Sequence, residues 1–328
     1  EVSTRKAIEF KPNYAEAHLN LGNILTDLGK LKEAEVSTRK AIEFKPNYAE
    51  AHTNLGIILT DLGKVQDAEI FVKKSIELDP TRTSYFYYGN CFFCRKEFEA
   101  AKKYLYEANI LSSKDSLGDP ILNAAESKVA LAIKTSVDES KLDYSENSKI
   151  HTNRRLKKLI LNRSVEVELI PYLYTLKNRK LEFTKDGRFG EGMCSIDFEF
   201  FNDPSPIIKN LVDDISKICK EALKLNKIFF IDSFFNIFVS GSGAVPHAHR
   251  LSADKCFDLH LHKYSLVYYL DIGDQAGEDP GILKLYEPDE KILPTNGMIV
   301  IIDSKRFHSV SYHGNKDRIM IGVNFYGF

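Results

Sequence analysis

Histidines are concentrated near the end of the chain, at spacings that suit metal binding. Of the nine histidines, six lie in residues 234–328: His247, His249, His260, His262, His308 and His313. The first four form two pairs, each with a single residue between its members. Side chains two residues apart on a strand point to the same face, so a pair could present two imidazole nitrogens to one metal ion. The pattern predicts a metal site completed by a further ligand from a distant part of the chain.

Apolar segments separated by glycine-containing turns surround these histidines. The strongest strand candidates are IFFIDSFFNIFVSG (228–241), SLVYYLDIG (265–273), GILKLYEP (281–288), MIVIID (298–303), HSVSY (308–312) and RIMIGVNFY (318–326). Upstream, residues 165–176 and 180–201 are rich in β-branched and aromatic residues and are also interpreted as strands. Residues 206–225 have the apolar spacing of an amphipathic helix. These features predict a mainly-β sandwich or barrel with one helix packed outside it.

Several of these motifs follow one another in a characteristic order. They are GSGAVPHAH (241–249), LVYYL (266–270), GILKLYEP (281–288), PTNG (294–297), MIVII (298–302), His308 and Arg318. Arg318 follows His308 by ten residues and begins an apolar strand. The order resembles that of the double-stranded β-helix, or jelly-roll, of the iron(II)- and 2-oxoglutarate-dependent oxygenases. The expected fold of this half is therefore a jelly-roll with a flanking helix.

That resemblance implies a site for a metal ion, a cosubstrate and dioxygen. Its iron(II) ligands would be three histidines: His247, His249 and His308. Ligands on one side of the iron leave positions for dioxygen and for the keto acid end of 2-oxoglutarate. The distal carboxylate of 2-oxoglutarate would bind the guanidinium of Arg318, with the hydroxyl of Tyr269 or Tyr268 beside it. The third histidine is expected on a strand across the barrel from the first pair.

The metal-binding motif departs from the family pattern at one position. The family has a carboxylate two residues after its first histidine, whereas this chain has His249. A set of three histidines is one way to complete the site. Alternatively, only one member of the pair binds the metal, and Asp254 or Asp258 completes the set from a loop. The sequence leaves this choice open.

The other histidines are weaker candidates. His260 and His262 have the spacing of a ligand pair, but His262 lies only five residues before Val267, in the next matching strand. Little room remains there for an intervening strand and turn, so this second pair is interpreted as part of a polar loop. His313 precedes Gly314 and is interpreted as a turn residue.

The first third of the chain is repetitive. The segment EVSTRKAIEFKPNYAEAH occurs at residues 1–18 and again, without a change, at residues 35–52, which gives a period of 34 residues. Units beginning at Ala15, Ala49 and near Arg82 keep small and apolar residues at matching positions with helical spacing. The period and these positions resemble the tetratricopeptide repeat. The resemblance implies an all-α solenoid whose concave face binds a protein or peptide partner.

Three regions follow from these patterns: repeats in residues 1–115, a capping helix and polar linker in residues 116–160, and the oxygenase-like domain in residues 161–328. The capping helix is expected at residues 120–133. Cys91 and Cys94 have the spacing of half a zinc or redox site. Without a second pair nearby, they are interpreted as buried thiols on a helical stripe.

Charge and composition argue against several classes of protein. The formal net charge is -1, so no basic surplus favours nucleic acid. No run of about eighteen apolar residues predicts a membrane span, and the chain does not begin with a signal peptide pattern. The five cysteines are scattered, which fits the reducing cytoplasm better than a disulfide framework.

The sequence therefore predicts an iron(II)/2-oxoglutarate-dependent dioxygenase that hydroxylates a protein or peptide, with a repeat array that binds the partner. Two alternatives remain open. One is a repeat scaffold whose β domain has lost catalysis, which the absent carboxylate favours. The other is a cupin-like metal-binding protein that makes no use of Arg318.

Overall fold

The structure is a computed structural model that describes residues 2–112, 119–139, 158–184, 186–249, 251–275 and 278–328. The chain divides into two compact units, residues 1–144 and residues 145–328. Most of the expected polar linker, residues 140–157, lies outside the described residues. Among the residues described, no helix has both the length and the apolar composition needed to cross a membrane.

The first unit is a stack of helices with the period found in the sequence. Within the described residues its helices are α1 (Val2–Phe10), α2 (Ala15–Asp27), α3 (Leu31–Phe44), α4 (Ala49–Asp61), α5 (Val65–Leu78), α6 (Arg82–Cys94), α7 (Phe98–Ile110) and α8 (Pro120–Glu139). Helices α2 and α3, α4 and α5, and α6 and α7 form three helix pairs. The helix predicted at residues 120–133 is confirmed as α8, which continues to Glu139 and packs against α7.

Small residues allow the two helices of a pair to approach closely. A Cβ atom added to Gly22 would lie 2.3 Å from the Thr38 hydroxyl, and one added to Gly56 would lie 2.2 Å from the Val72 side chain. Three alanines in matching positions of the second helices are fully buried: Ala34, Ala68 and Ala101. The fixed small residues of the repeat therefore set the distance between its helices, because close-packed interiors leave no space for a larger side chain.

Both cysteines of α6 were predicted to be buried, and the prediction is wrong for Cys94. Cys91 is fully buried, and burial raises the pKa of its thiol to about 12. Cys94 is exposed, because α6 ends at this residue and the buried stripe ends with it. None of the five cysteines forms a disulfide. The pair therefore combines one inert buried thiol with one thiol at the surface.

The second unit contains two antiparallel sheets. Its strands within the described residues are β1 (Leu159–Asn162), β2 (Asn178–Lys180), β3 (Arg188–Phe189), β4 (Met193–Ser195), β5 (Ile228–Phe238), β6 (Ser242–His247), β7 (Lys263–Asp271), β8 (Leu283–Leu285), β9 (Glu290–Ile292), β10 (Met298–Asp303), β11 (His308–Tyr312) and β12 (Arg318–Gly327). The larger sheet has the order β1-β10-β7-β12-β5-β4-β2, and the smaller has the order β3-β6-β11-β8-β9. A mainly-β second domain is thus confirmed.

The larger sheet has a different core on each face. On one face it packs against α10 (Pro206–Leu223), the amphipathic helix predicted from the sequence. Along β12, Ile319 and Ile321 belong to this core, whereas Met320 packs with Val310 of the smaller sheet. The two-residue alternation of a strand therefore directs every second side chain of β12 into the space between the sheets.

One predicted strand is wrong. Residues 165–176 contain the helix α9 (Leu169–Thr175) and no strand. Leu169 and Leu173 lie one helical turn apart and are both fully buried, while Pro171 stands in the first turn, where its absent N–H costs little. Burial of this pair outweighs the preference of the aromatic and β-branched residues for a strand. The next predicted strand region contains only short strands.

Candidate metal and carboxylate site

Two of the predicted ligands lie opposite each other on neighbouring strands. His247 ends β6, His308 begins β11, and the two residues are direct partners in the antiparallel pairing. Their ring centroids are 4.4 Å apart. The expectation that His308 comes from a strand across the barrel is therefore wrong. Directly opposed residues of an antiparallel pair are close enough to share one ion, so the ligands need not cross the domain.

His249 reaches these two histidines from just beyond the end of β6. Its backbone N–H donates to the carbonyl of Ser304 at 3.0 Å, which holds the chain against the residue that follows β10. One ring nitrogen from each of the three histidines lies within 4.8 Å of the other two. In the part of the chain that the structure describes, no other group of three His, Cys, Asp or Glu side chains has this geometry.

Hydrogen bonds to the backbone orient two of the rings. Nδ1 of His247 lies 2.8 Å from the carbonyl oxygen of Val245, and Nδ1 of His308 lies 3.1 Å from that of Arg306. In the neutral ring, Nδ1–H donates to the carbonyl and Nε2 keeps its lone pair. Bonds of this kind orient ligating histidines in metal sites. The rings therefore form a donor set that fits a transition metal ion such as iron(II).

Burial favours the neutral form of two of these histidines. Burial lowers the pKa of His308 to about 4, and the neighbouring His247 contributes less to this shift. Burial also lowers the pKa of His249 well below its ordinary value, with smaller contributions from the two other histidines. Because a metal ion and a proton compete for the same nitrogen, both shifts favour metal binding near neutral pH.

We expect the metal-free site to lose stability as the pH falls from about 6.5 toward 4. A histidine in the unfolded chain binds its proton near pH 6.5, whereas folded His308 stays neutral until about pH 4. The unfolded state therefore binds more protons in this interval, and the free energy of unfolding decreases by up to roughly 3 kcal/mol for one histidine. Hydrogen exchange of the β11 amides, corrected for intrinsic rates, measures the change. An equal pH dependence in His308→Gln would contradict this origin.

The two aspartates considered as alternative ligands do not converge on the histidines. Asp254 forms a buried ion pair with Lys263, with 2.9 Å between Oδ2 and Nζ, and accepts the hydroxyl of Tyr326 at 2.6 Å. Asp258 is exposed. Neither belongs to the histidine group. Asp254 instead anchors the segment after the histidine pair to β7 and β12.

The remaining histidines also lie outside the group. The ring of His262 stacks on that of Phe328, with 4.6 Å between centroids, and His260 is not among the converging side chains. His313 has a half-exposed side chain whose Nδ1 lies 3.5 Å from a carboxylate oxygen of Asp279. Of the two histidine pairs, the structure brings only the first one together with His308.

Arg318 is fully buried at the start of β12. Its Nη1 donates to the carbonyl of Pro280 at 3.3 Å, whereas Nε and Nη2 have no hydrogen-bond partner among the described residues. Gly281 leaves room for this guanidinium, since an added Cβ would lie 1.5 Å from Nη1. Burial lowers the pKa of Arg318, yet an arginine in a protein keeps its charge. A buried charge with free donors is costly unless an anion pairs with it.

Tyr269, and not Tyr268, faces this guanidinium. Cζ of Arg318 lies 5.1 Å from the ring centroid of Tyr269 and 5.7 Å from that of Tyr312. The hydroxyl of Tyr268 instead donates to the carbonyl of Ser164 at 3.0 Å. Neighbouring residues of a strand point to opposite faces, so only one of the two tyrosines can accompany Arg318.

A cavity of about 240 Å³ joins the three histidines to Tyr269. Its walls are mostly apolar and include Phe234, Phe238, Val267, Leu283, Val310 and Met320. Ser265 and Asn324 supply polar groups. Oγ of Ser265 donates to Asn324 Oδ1 at 2.5 Å, and Nδ2 of Asn324 donates to Asp232 at 2.6 Å. Because its proton goes to Asn324, the Ser265 hydroxyl can act toward any further group only as a hydrogen-bond acceptor.

Two charged residues of the cavity wall were not predicted as site residues. Nε of Arg188 donates to Oδ1 of Asp186 at 2.9 Å, and both residues line the cavity. Cζ of Arg188 lies 5.3 Å from the ring centroid of Phe198 and 5.2 Å from that of Phe234. In the sequence, Asp186 and the following glycine indicate only a turn. No local pattern distinguishes this ion pair from one on the surface.

Comparison with known proteins identifies the repeats. Models of the tetratricopeptide repeat family match residues 4–36, 22–63 and 49–82, so this part of the chain is a tetratricopeptide array. The first TPR of Spaghetti (RPAP3) bound to the HSP90 peptide SRMEEVD is 21% identical over 37% of this chain and 93% of that chain, with a TM-score of 0.34. The APC/C hetero-tetramer Cut9-Hcn1 is 18% identical over 42% of this chain and 25% of that chain, with a TM-score of 0.37. No curated protein matches the chain.

Proposed function

We propose that the second unit is an iron(II)/2-oxoglutarate-dependent dioxygenase with a double-stranded β-helix fold. One observation carries the proposal: three converging imidazoles lie at a cavity whose wall residue Tyr269 contacts a buried guanidinium with free donors. The first feature fits a metal ion and the second fits a carboxylate. A ligand that needs both at once is a keto acid with a second, distal carboxylate.

The donor set supports iron(II) as the first component. His247, His249 and His308 would hold the ion from one side through their ring nitrogens, and the remaining positions would serve dioxygen and the keto acid. When bound, iron(II) would supply the redox chemistry that couples decarboxylation of 2-oxoglutarate to hydroxylation of a substrate C–H bond. The protein orients the rings of His247 and His308 through the carbonyls of Val245 and Arg306.

The buried guanidinium supports 2-oxoglutarate as the second component. Nε and Nη2 of Arg318 are adjacent donors and form the fork that binds a carboxylate through both oxygens. The ring of Tyr269 contacts this guanidinium and also lines the cavity that contains the histidines. Arg318 would therefore orient the cosubstrate, while the apolar walls of the cavity exclude water.

The repeat array supports a protein or peptide as the bound partner. Tetratricopeptide repeats stack into extended concave surfaces that bind other chains. In this proposal the array holds the substrate protein or tethers the enzyme to its partner. Five cysteines without a disulfide favour a reducing compartment, and we therefore place the protein in the cytoplasm.

A repeat scaffold with an inactive β domain is the second candidate. It is favoured by the absence of a carboxylate in the histidine group, since non-haem iron oxygenases commonly use two histidines and one carboxylate. A cupin-like protein that binds metal without 2-oxoglutarate is the third candidate. In that protein Arg318 would have no ligand.

Anaerobic titration of iron(II) into the full chain with 2-oxoglutarate separates these functions. An oxygenase site is expected to produce a weak visible charge-transfer band that requires both iron(II) and 2-oxoglutarate, and zinc(II) in place of iron(II) should produce none. Iron binding without a band would indicate the cupin-like protein. The absence of iron binding would leave the scaffold.

A further inference from the structure

Two furrows of the repeat array have corresponding walls. The first furrow is bounded by α1 and α3 with α2 as its floor, and the second is bounded by α3 and α5 with α4 as its floor. Each wall residue of one furrow has a counterpart 34 positions away in the other. The identical pairs are Arg5 and Arg39, Ile8 and Ile42, Glu9 and Glu43, His18 and His52, Leu21 and Leu55, Leu25 and Leu59, and Lys40 and Lys74. Most of the lining of the two furrows is therefore the same, and Ser37 and Phe71 are among the positions that differ.

The second furrow is filled by an aromatic ring of the chain itself. Phe71 packs against the core that contains Leu55 and Leu59. Its ring centroid lies 6.0 Å from that of His52 and 5.2 Å from Cζ of Arg39. Apolar, aromatic and cationic walls therefore all contact one phenyl ring.

The first furrow has no phenyl ring at the position of Phe71, although the ring of His18 in its wall lies 5.4 Å, between centroids, from that of Phe44 in α3. The position that corresponds to Phe71 is Ser37, whose hydroxyl donates to the carbonyl of His18 at 3.0 Å. An open groove of about 600 Å³ remains, and Arg5, Leu21 and Leu25 are among the residues that line it. The first furrow thus has the walls of an aromatic site and the space for its ligand.

We propose that the first furrow binds a phenylalanine or tyrosine side chain of a partner protein. Leu21 and Leu25 would contact the ring from the floor, as Leu55 and Leu59 contact Phe71. Arg5 would lie over the ring face, where a guanidinium is attracted by the ring quadrupole. This site depends on the repeats alone and is independent of the oxygenase chemistry of the second unit.

Methyl NMR of the full chain with N-acetyl-phenylalaninamide as the probe tests this proposal. We expect saturable shifts of the Ile8, Leu21 and Leu25 methyl signals, with an affinity on the order of 1 mM, since a single side chain gains little beyond the cost of association. The matching methyls of Leu55 and Leu59 should not shift, because Phe71 already fills that site. N-acetyl-alaninamide, which lacks the ring, should shift neither set.

Two exchanges between the furrows sharpen the test. Ser37→Phe should fill the first furrow and abolish the shifts, and it should fold, since the second furrow already holds this residue. Phe71→Ser should open the second furrow and produce new shifts at Leu55 and Leu59. Unchanged methyl signals in the wild type at probe concentrations on the order of 10 mM would overturn the proposal. Shifts that depend on protein concentration without probe would also overturn it, because a second copy of this chain would then fill the furrow.

Discussion

Replacement of His308 by alanine is expected to lower the affinity of the full chain for iron(II) on the order of 100- to 1000-fold. A protein metal site contributes about 10 kcal/mol or more through three or four ligand bonds, so one bond accounts for a few kcal/mol. His308 is buried and directly opposite His247. The alternative ligand Asp254 is held by Lys263 and cannot take its place. Anaerobic isothermal titration with iron(II) measures the loss.

The control for this experiment is a histidine outside the group. His313→Ala removes a half-exposed imidazole that faces Asp279 and should leave iron binding unchanged. His308→Gln keeps much of the side-chain volume and should lose iron as His308→Ala does. Protection of the β11 amides in both variants would show that the sheet remains folded. Wild-type affinity in a folded His308→Ala protein would exclude the site.

Replacement of Arg318 by methionine is expected to weaken 2-oxoglutarate binding on the order of 100-fold and to leave iron binding intact. Truncation of one partner of a buried, hydrogen-bonded charge pair costs about 2–5 kcal/mol, because the other charge stays unpaired. Without 2-oxoglutarate the variant should be at least as stable as the wild type. The substitution removes a buried charge whose Nε and Nη2 have no partner among the described residues.

Arg163→Met provides the matched control. Arg163 is also largely buried, but it is paired with Glu166 and with Asp214, the latter at 2.8 Å. Its loss should therefore destabilise the second unit and leave 2-oxoglutarate binding unchanged, the reverse of the result for Arg318. Thermal unfolding with and without the cosubstrate measures both quantities, since a ligand that binds only the folded state raises its stability. Equal stabilisation of wild type and Arg318→Met by 2-oxoglutarate would refute the assigned role.

The repeat array could be predicted from the sequence almost completely. Its helices meet their neighbours within one 34-residue period, so each contact is encoded close to the residues that make it. The exposure of Cys94 was not predicted, because it depends on where α6 ends. Alignment of the repeats shows Ser37 at the position of Phe71, but only the structure shows the groove beside Ser37.

In the second unit, the sequence indicated candidate residues and the larger strands. The histidine pair was named from its residue type and spacing, whereas His308 and Arg318 were named from the resemblance to the oxygenase family. The helix α9 was misread as a strand, because composition alone does not show which side chains are buried. Residue type and local period are properties of short segments, and they were therefore sufficient to predict the candidate residues and the longer strands.

Only the tertiary structure decided how these candidates are combined. His247 and His308 lie 61 positions apart, and sheet register alone makes them neighbours. Asp254 was excluded as a ligand by its ion pair with Lys263, and the choice between Tyr269 and Tyr268 depended on which face of β7 meets Arg318. The free donors of Arg318 have no sequence signal, because a charge is paired or unpaired only through groups from other parts of the chain. Pairing and burial are non-local properties of the folded protein, and for that reason the sequence could name these residues but could not assemble them.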